Sequence, residues 1–267
     1  MNGASLNLAP GARMNPVLRL RGHEGLLGAL LLLALWEFAA RVFWRDPDVL
    51  PSPIQCLQAA IAHLSAADVL RHGAASLLRI AGGFGLAALL GIATGVAAGW
   101  YPRLGHLLRP LADLLRPIPP LAWIPMAIVW FGLGEASKWF VIFLGAFFPI
   151  FTNTLRGMAS IPPILMRAAR TMDVHGTELL LRVAVPAALP DIATGLRVGL
   201  GLAFGILVAA ELVAADSGVG RLIMQARELG QLGVAVFGVV LIGALSLCAD
   251  ALLARLIKRF AGRGIVT

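Results

Sequence analysis

Residues 166–190 read MRAARTMDVHGTELLLRVAVPAALP, and the fold turns on what this stretch cannot do. Arg167, Arg170, Asp173, His175, Glu178 and Arg182 crowd together here, with long apolar segments on either side. No other run in the middle of the chain is as hard to place in a bilayer, where each Arg or Asp costs about 3 kcal/mol at mid-depth. Ser160 ahead of Pro162 and Pro163 is a cap-then-proline start for a helix running to about Met172. Asp173 is expected to end that helix and to cap a second one over 174–185, before Pro186 and Pro190 break the chain again. The product is a helix-turn-helix on a membrane surface, shaped to be gripped by something soluble.

The flanks say which surface. Of the 267 residues, 59% are apolar and only 13% charged, and several runs of about 20 apolar residues mark an all-α integral membrane protein. Six spans are predicted. A first anchor at 25–43 follows a polar N-terminal segment, 1–24, and reads as an uncleaved anchor rather than a signal peptide, since Trp36, Glu37 and Phe38 are unusual before a cleavage site. An external loop at 44–69 carries a short amphipathic helix. A core at 70–256 holds the spans 74–100, 117–134, 138–154, 191–215 and 234–256, with the charged loop at 160–186 between the fourth and fifth. A tail, 257–267, ends the chain.

Fifteen of the 22 Lys and Arg fall on one side of this arrangement, in 1–24, 101–116, 156–197 and 255–267. The positive-inside rule puts that side, with both termini, in the cytoplasm. The basic surplus, a net charge of +8, is therefore a topology signal, and nucleic acid is set aside as a partner. Membrane lipid is the expected surround.

Within the core, Gly83, Ala87, Gly91, Gly95 and Gly99 recur every four residues and leave one side of a helix nearly bare. Such a stripe lets another backbone come close, within one subunit in preference to a dimer seam. The phrase RPIPPLAWIP at 116–125 has four prolines in nine residues, and irregular backbone at membrane depth survives only where protein buries it or water lines it. Pro119, Pro120, Trp123 and Pro125 thus read equally as a pathway wall or a kinked helix entry. Glu37, Arg79, Arg197, Glu211 and Asp250 are ionisable groups near membrane depth, the usual marks of a pathway, a pair or an interface. Arg79 and Arg197 suit an anion but also suit lipid headgroups, and Arg197 and Glu211 join the candidate pathway residues. Glu211 lies near the outer end of its span, where it would meet a docking partner.

The charged loop resembles the EAA loop of ABC importer permeases: Glu-Ala-Ala, a Gly after three more residues, then nine residues and Ile-x-Leu-Pro. Ala168 and Ala169 match, and Val183-Ala-Val185-Pro186 stands at the right distance. Arg167 replaces the usual Glu and Asp173 the usual Gly. The long phrase at 116–154 and ELVAADSGVG at 211–220 are similar to the permeases that import taurine, alkanesulfonates, nitrate and related compounds. The resemblance implies a type I, MetI-like permease. Two copies would form the pathway, cytoplasmic ABC ATPase subunits would drive it, and an external solute-binding protein would deliver a small anion. Taurine or an alkanesulfonate comes first, with nitrate, bicarbonate or a vitamin precursor as alternatives. By the same resemblance, Arg167, Ala168, Ala169, Asp173, Val183, Val185 and Pro186 couple the permease to the ATPase.

No GxxxxGK[ST] loop, His-Glu-x-x-His or Gly-x-Ser-x-Gly occurs in the sequence, so ATP hydrolysis is expected in a partner and no catalytic residue is assigned here. Cys56 and Cys248 have no ligand-like spacing, and neither metal nor cofactor is expected. A secondary transporter working alone is the competing class. Its usual signs, paired mid-span carboxylates or an inverted repeat, are missing from the sequence.

Overall fold

The computed structural model describes residues 22–43, 46 and 49–261. Arg13, Arg19, Arg21 and Arg263, which weighed in the orientation argument, lie outside them. Every regular element among the described residues is helical: α1 (Gly22–Val42), α2 (Pro53–His63), α3 (Ala66–Trp100), α4 (Pro102–Leu115), α5 (Ile124–Phe131), α6 (Glu135–Ala159), α7 (Pro163–Thr171), α8 (Gly176–Leu179), α9 (Val185–Ala214), α10 (Val219–Glu228) and α11 (Leu232–Ala261). Among the described residues, four apolar helices are long enough to cross a membrane: α3, α6, a joined helix Gly176–Val213 and α11. A fifth crossing arises if α4 and Pro120–Phe131 count together, with a bend of 84° between them. The helix α1, at 21 residues, is about 31 Å long, close to the hydrocarbon thickness.

Three boundaries differ from the sequence reading. Residues 101–116, expected as a loop, form α4, because Pro102 occupies its first turn and its leucines recur at helical spacing. The expected span 117–134 opens as a 3₁₀ turn, Pro120–Trp123, and only Ile124–Phe131 is α-helical. Three closely spaced prolines remove the amides a regular helix would need there. The span expected from 74 starts eight residues earlier. Ser65 Oγ accepts from the Asp68 amide while the Asp68 carboxylate accepts from the Ser65 amide, a reciprocal cap that satisfies two end donors.

The core sits where α3, α6 and α9 meet, around Ile80, Ile142, Ile150, Phe204 and Leu207. The small-residue stripe of α3 lies on α6. A Cβ added to Gly83, Gly91 or Gly95 would stand 2.7–2.9 Å from Ile142, Ile150 or Thr154, closer than real side chains pack. Gly99 meets Met158 in the same way, and Ala87 is fully buried. Equal steps along both helices make α3 and α6 parallel. On its other flank α6 receives α9 antiparallel, with Gly157 against Ala188 and Gly199 against Ala146. At the end near Ser217, α2 and α10 pack over the start of α11, burying Cys56, Ala60, Leu222, Ala226 and Val234.

Candidate functional site

The charged loop folds into a tight turn carried on a long rod. Pro163 opens α7, and Ala169 is its one buried residue. Arg167, Ala168 and Arg170 face out, and so do the apolar side chains Ile164 (66% exposed) and Met172 (78%). Apolar groups exposed beside cations off the membrane mark a protein-docking surface. The end of α7 is a Schellman turn. The Val174 amide reaches Ala169 O at 3.2 Å and the Asp173 amide reaches Arg170 O at 3.1 Å. Asp173 sits between them at φ +61°, the one non-glycine residue with positive φ among those described. This is the position where helices usually place Gly, because a Cβ is costly in that conformation.

Asp173 therefore holds the left-handed turn but does not cap the following helix. That helix starts at Gly176 after His175, with no side-chain cap. The Asp173 carboxylate is fully exposed, 3.5 Å from His175 Nδ1 and not on Arg170. The Schellman geometry points its side chain into solvent, away from the next helix's amides.

The expected break at Pro186 and Pro190 is overturned as well. A π turn, Leu180–Ala184, links α8 to α9, and the Val185 amide reaches back five residues to Leu180 O. This widening falls just before Pro186, where the ring would otherwise collide with the preceding turn. Pro190 lies inside α9, held by the packing of Ala188 and Ile192 against Met158. Val183 and Val185 are half-buried in this joint. One continuous helix runs from Gly176 to Val213, so the turn and the apolar length of α9 belong to one element.

Toward its far end this rod enters a buried polar cluster. Glu211 is fully buried. Its carboxylate accepts from Arg79 Nη1 at 2.7 Å, from Ser76 Oγ at 2.8 and 2.9 Å, and from the Gly220 amide at 2.8 Å. Arg79 also forks onto Glu135 at 2.7 and 2.8 Å and donates to Ser217 O. His72 Nδ1 closes the group against the Gly218 backbone. At Gly218, φ is +116° and an added Cβ would strike Glu211 and Arg79, so only glycine fits.

This corrects two expectations. Glu211 faces neither a pathway nor a docking partner, because its oxygens are spent on α3 and on the loop after α9. Arg79 is buried, with its guanidinium taken up by Glu211, Glu135 and Ser217, and presents no open face to an anion or a headgroup. A buried ion pair survives only when its remaining hydrogen-bonding capacity is filled, and here it ties α3, the start of α6 and the end of α9 together. Sequence reasoning missed Ser76, His72, Ser217 and Glu135 as members. The signal available was an Arg and a Glu both at span ends, which could have been paired.

Arg197 stands elsewhere. Its guanidinium forks onto Asp250 of α11 at 3.0 and 2.7 Å, and 52% of the Arg197 side chain and 36% of the Asp250 side chain are exposed. At the proline-rich break, Pro119 and Pro125 are exposed, Pro120 and Trp123 half-buried, and Pro120 rests near Gly145 of α6.

Apolar spans, a buried polar lock at one end and an exposed turn on a continuous helix at the other describe a multi-pass membrane protein. Residues 87–262 match the family described as binding-protein-dependent transport system inner membrane component, and the chain belongs to that family. It is an ABC importer permease, in a class whose ATPase is a separate subunit. Among its relatives, the taurine transport system permease protein of Escherichia coli is 38% identical over 79% of this chain and 79% of its own. A Bacillus subtilis permease named for aliphatic sulfonates is 35% identical over 88% of this chain and 85% of its own. The bicarbonate transport system permease protein of Synechococcus elongatus is 40% identical over 66% of this chain and 64% of its own.

Proposed function

We propose that this chain forms, as two copies, the translocation pathway of an importer for a small anionic solute, an aliphatic sulfonate or taurine before others. Two cytoplasmic ATPase subunits grip the 160–186 region, a solute-binding protein docks outside, and both termini lie in the cytoplasm. Six spans, counting α1 and the bent α4–α5 pair, would put both termini on one side, and the distribution of basic residues supports the cytoplasmic one. The observation that carries the mechanism is the unbroken helix from Gly176 to Val213. Closure of the ATPases displaces Arg167, Ala168, Ala169 and the Asp173 turn, and the rod moves the inner half of α9 without a flexible joint to absorb the motion. The Arg79–Glu211 lock holds the outer ends of α3, α6 and α9 together, so the rod pivots about that end.

The substrate class rests on relatives named for taurine and sulfonates; the bicarbonate relative supplies the second reading. All three solutes carry an anionic group. The test is ATP-dependent uptake by proteoliposomes holding the permease, its ATPase and its binding protein. Uptake of taurine or an alkanesulfonate supports the reading. Uptake of bicarbonate alone moves the substrate to the second, and a permease that carries solute without any ATPase overturns the importer itself.

A further inference from the structure

The Arg197–Asp250 pair is expensively placed. Asp250 lies nine residues inside the Arg259 end of its span, about 13 Å, and Arg197 lies sixteen residues inside Val213, about 24 Å. Both side chains keep a substantial exposed fraction. An ion pair open to acyl chains at that depth loses hydration without gaining a replacement, so the exposed side calls for water or a polar guest.

Beside the pair runs an apolar groove of about 290 Å³ between α3, α9 and α11, lined by Ile92, Leu189, Ala193, Leu196, Leu253 and others. Ala193 is one turn before Arg197 on α9, and Leu253 is one turn after Asp250 on α11, so the pair sits at the groove's mouth toward mid-membrane. Its opposite end reaches Val185 and Ile257, beside the π joint. The site thus offers a forked cation at one end and a purely apolar trough behind it.

Resting on the sulfonate reading above, we propose that Arg197 and this groove bind an aliphatic sulfonate. The sulfonate oxygens replace the Asp250 carboxylate on the guanidinium fork, and the carbon chain lies along Ala193, Leu196 and Leu253. A sulfonate presents the guanidinium with two oxygens as a carboxylate does, so the exchange conserves both charge-assisted hydrogen bonds to Arg197, and the displaced Asp250 carboxylate turns to water on the exposed side of the pair. Asp250 is then the internal competitor that holds Arg197 when no substrate is present. Because Val185 forms part of the far wall, movement of the rod reshapes the groove and ejects the chain.

Equilibrium binding of radiolabelled hexanesulfonate and methanesulfonate to the permease–ATPase complex in lipid nanodiscs tests this without the binding protein. Hexanesulfonate should bind more tightly than methanesulfonate, and Ala193→Phe should erase that preference. Arg197→Gln should lose both ligands. Asp250→Asn should tighten both by about tenfold, since it removes a competing charged acceptor; a merely structural ion pair would weaken or leave binding unchanged. Association with the ATPase shows that each variant is folded. Two results overturn the site: binding no greater than to empty nanodiscs (partition into lipid only), or no gain in Asp250→Asn. Either of these alongside normal sulfonate uptake by the wild-type importer removes the site and leaves the substrate reading standing. Sulfonate binding at this site in a complex that transports only bicarbonate removes the substrate reading instead.

Discussion

Replacing Asp173 by Val should uncouple the importer while leaving it assembled. The residue sits at φ +61° in a turn closed by two backbone bonds, Val174 to Ala169 and Asp173 to Arg170. A left-handed backbone costs an ordinary residue about 1–2 kcal/mol and a β-branched one sits at the upper end. Asp pays less, as one of the few residues that visit this region. If the Val chain opens the turn instead, it gives up two hydrogen bonds worth about 1 kcal/mol each. Either route costs about 2 kcal/mol, enough to reduce the population of the closed turn by about thirtyfold relative to its open forms. The side chain itself contributes little, being fully exposed with only His175 nearby. Asp173→Gly should therefore match or exceed the native residue, since glycine takes this conformation with little steric cost. The assay is substrate-stimulated ATP hydrolysis and uptake in the reconstituted complex, with hydrogen exchange at the Val174 amide reporting the turn. The reasoning is refuted if Val leaves coupling and exchange unchanged. It is also refuted if Gly uncouples while the turn stays protected, which would mean that the carboxylate and not the backbone does the work.

Four further outcomes follow from the geometry. Glu211→Leu alone should lower stability by about 3–5 kcal/mol by stranding Arg79, and Arg79→Met added to it should recover part of that loss, read from thermal unfolding in detergent; no recovery would mean that Glu135 and Ser217 hold Arg79 unaided. Gly95→Ala should destabilise by about 1–3 kcal/mol, because its Cβ meets Thr154 at 2.7 Å, whereas Gly201→Ala, open on all sides, should be silent. Burial pushes the Cys56 thiol up, and its side chain is 4% exposed, so an impermeant maleimide should modify it slowly at neutral pH and faster only as pH rises or the protein unfolds; rapid labelling at pH 7 would dislodge α2 from its place over α11. With Cys56 and Cys248 removed, Leu133→Cys should label on intact cells and Met172→Cys only after lysis, both positions being well exposed; the opposite pattern inverts the topology.

The sequence alone was enough for an all-helical membrane protein with a charged turn between its spans, because composition and hydropathy are summed over many residues and survive local detail. It also placed Asp173 where the related motif has glycine, and a motif that demands glycine names a backbone conformation. The small-residue stripe on α3 was visible as a repeat of four, but its partner was not, because nothing local says which helix will lie against a bare face. Only the tertiary structure showed that Pro186 and Pro190 leave the helix unbroken. Their cost is local, while the π turn before them and the packing of Ala188 against α6 that absorb it come from elsewhere. The same holds for the charges. Arg79, Arg197, Glu211 and Asp250 were equally conspicuous in the chain, yet one pair is locked in the interior and the other opens onto a groove. A charge's role is set by which opposite charge folding brings within 3 Å, and those partners lie 132 and 53 residues away.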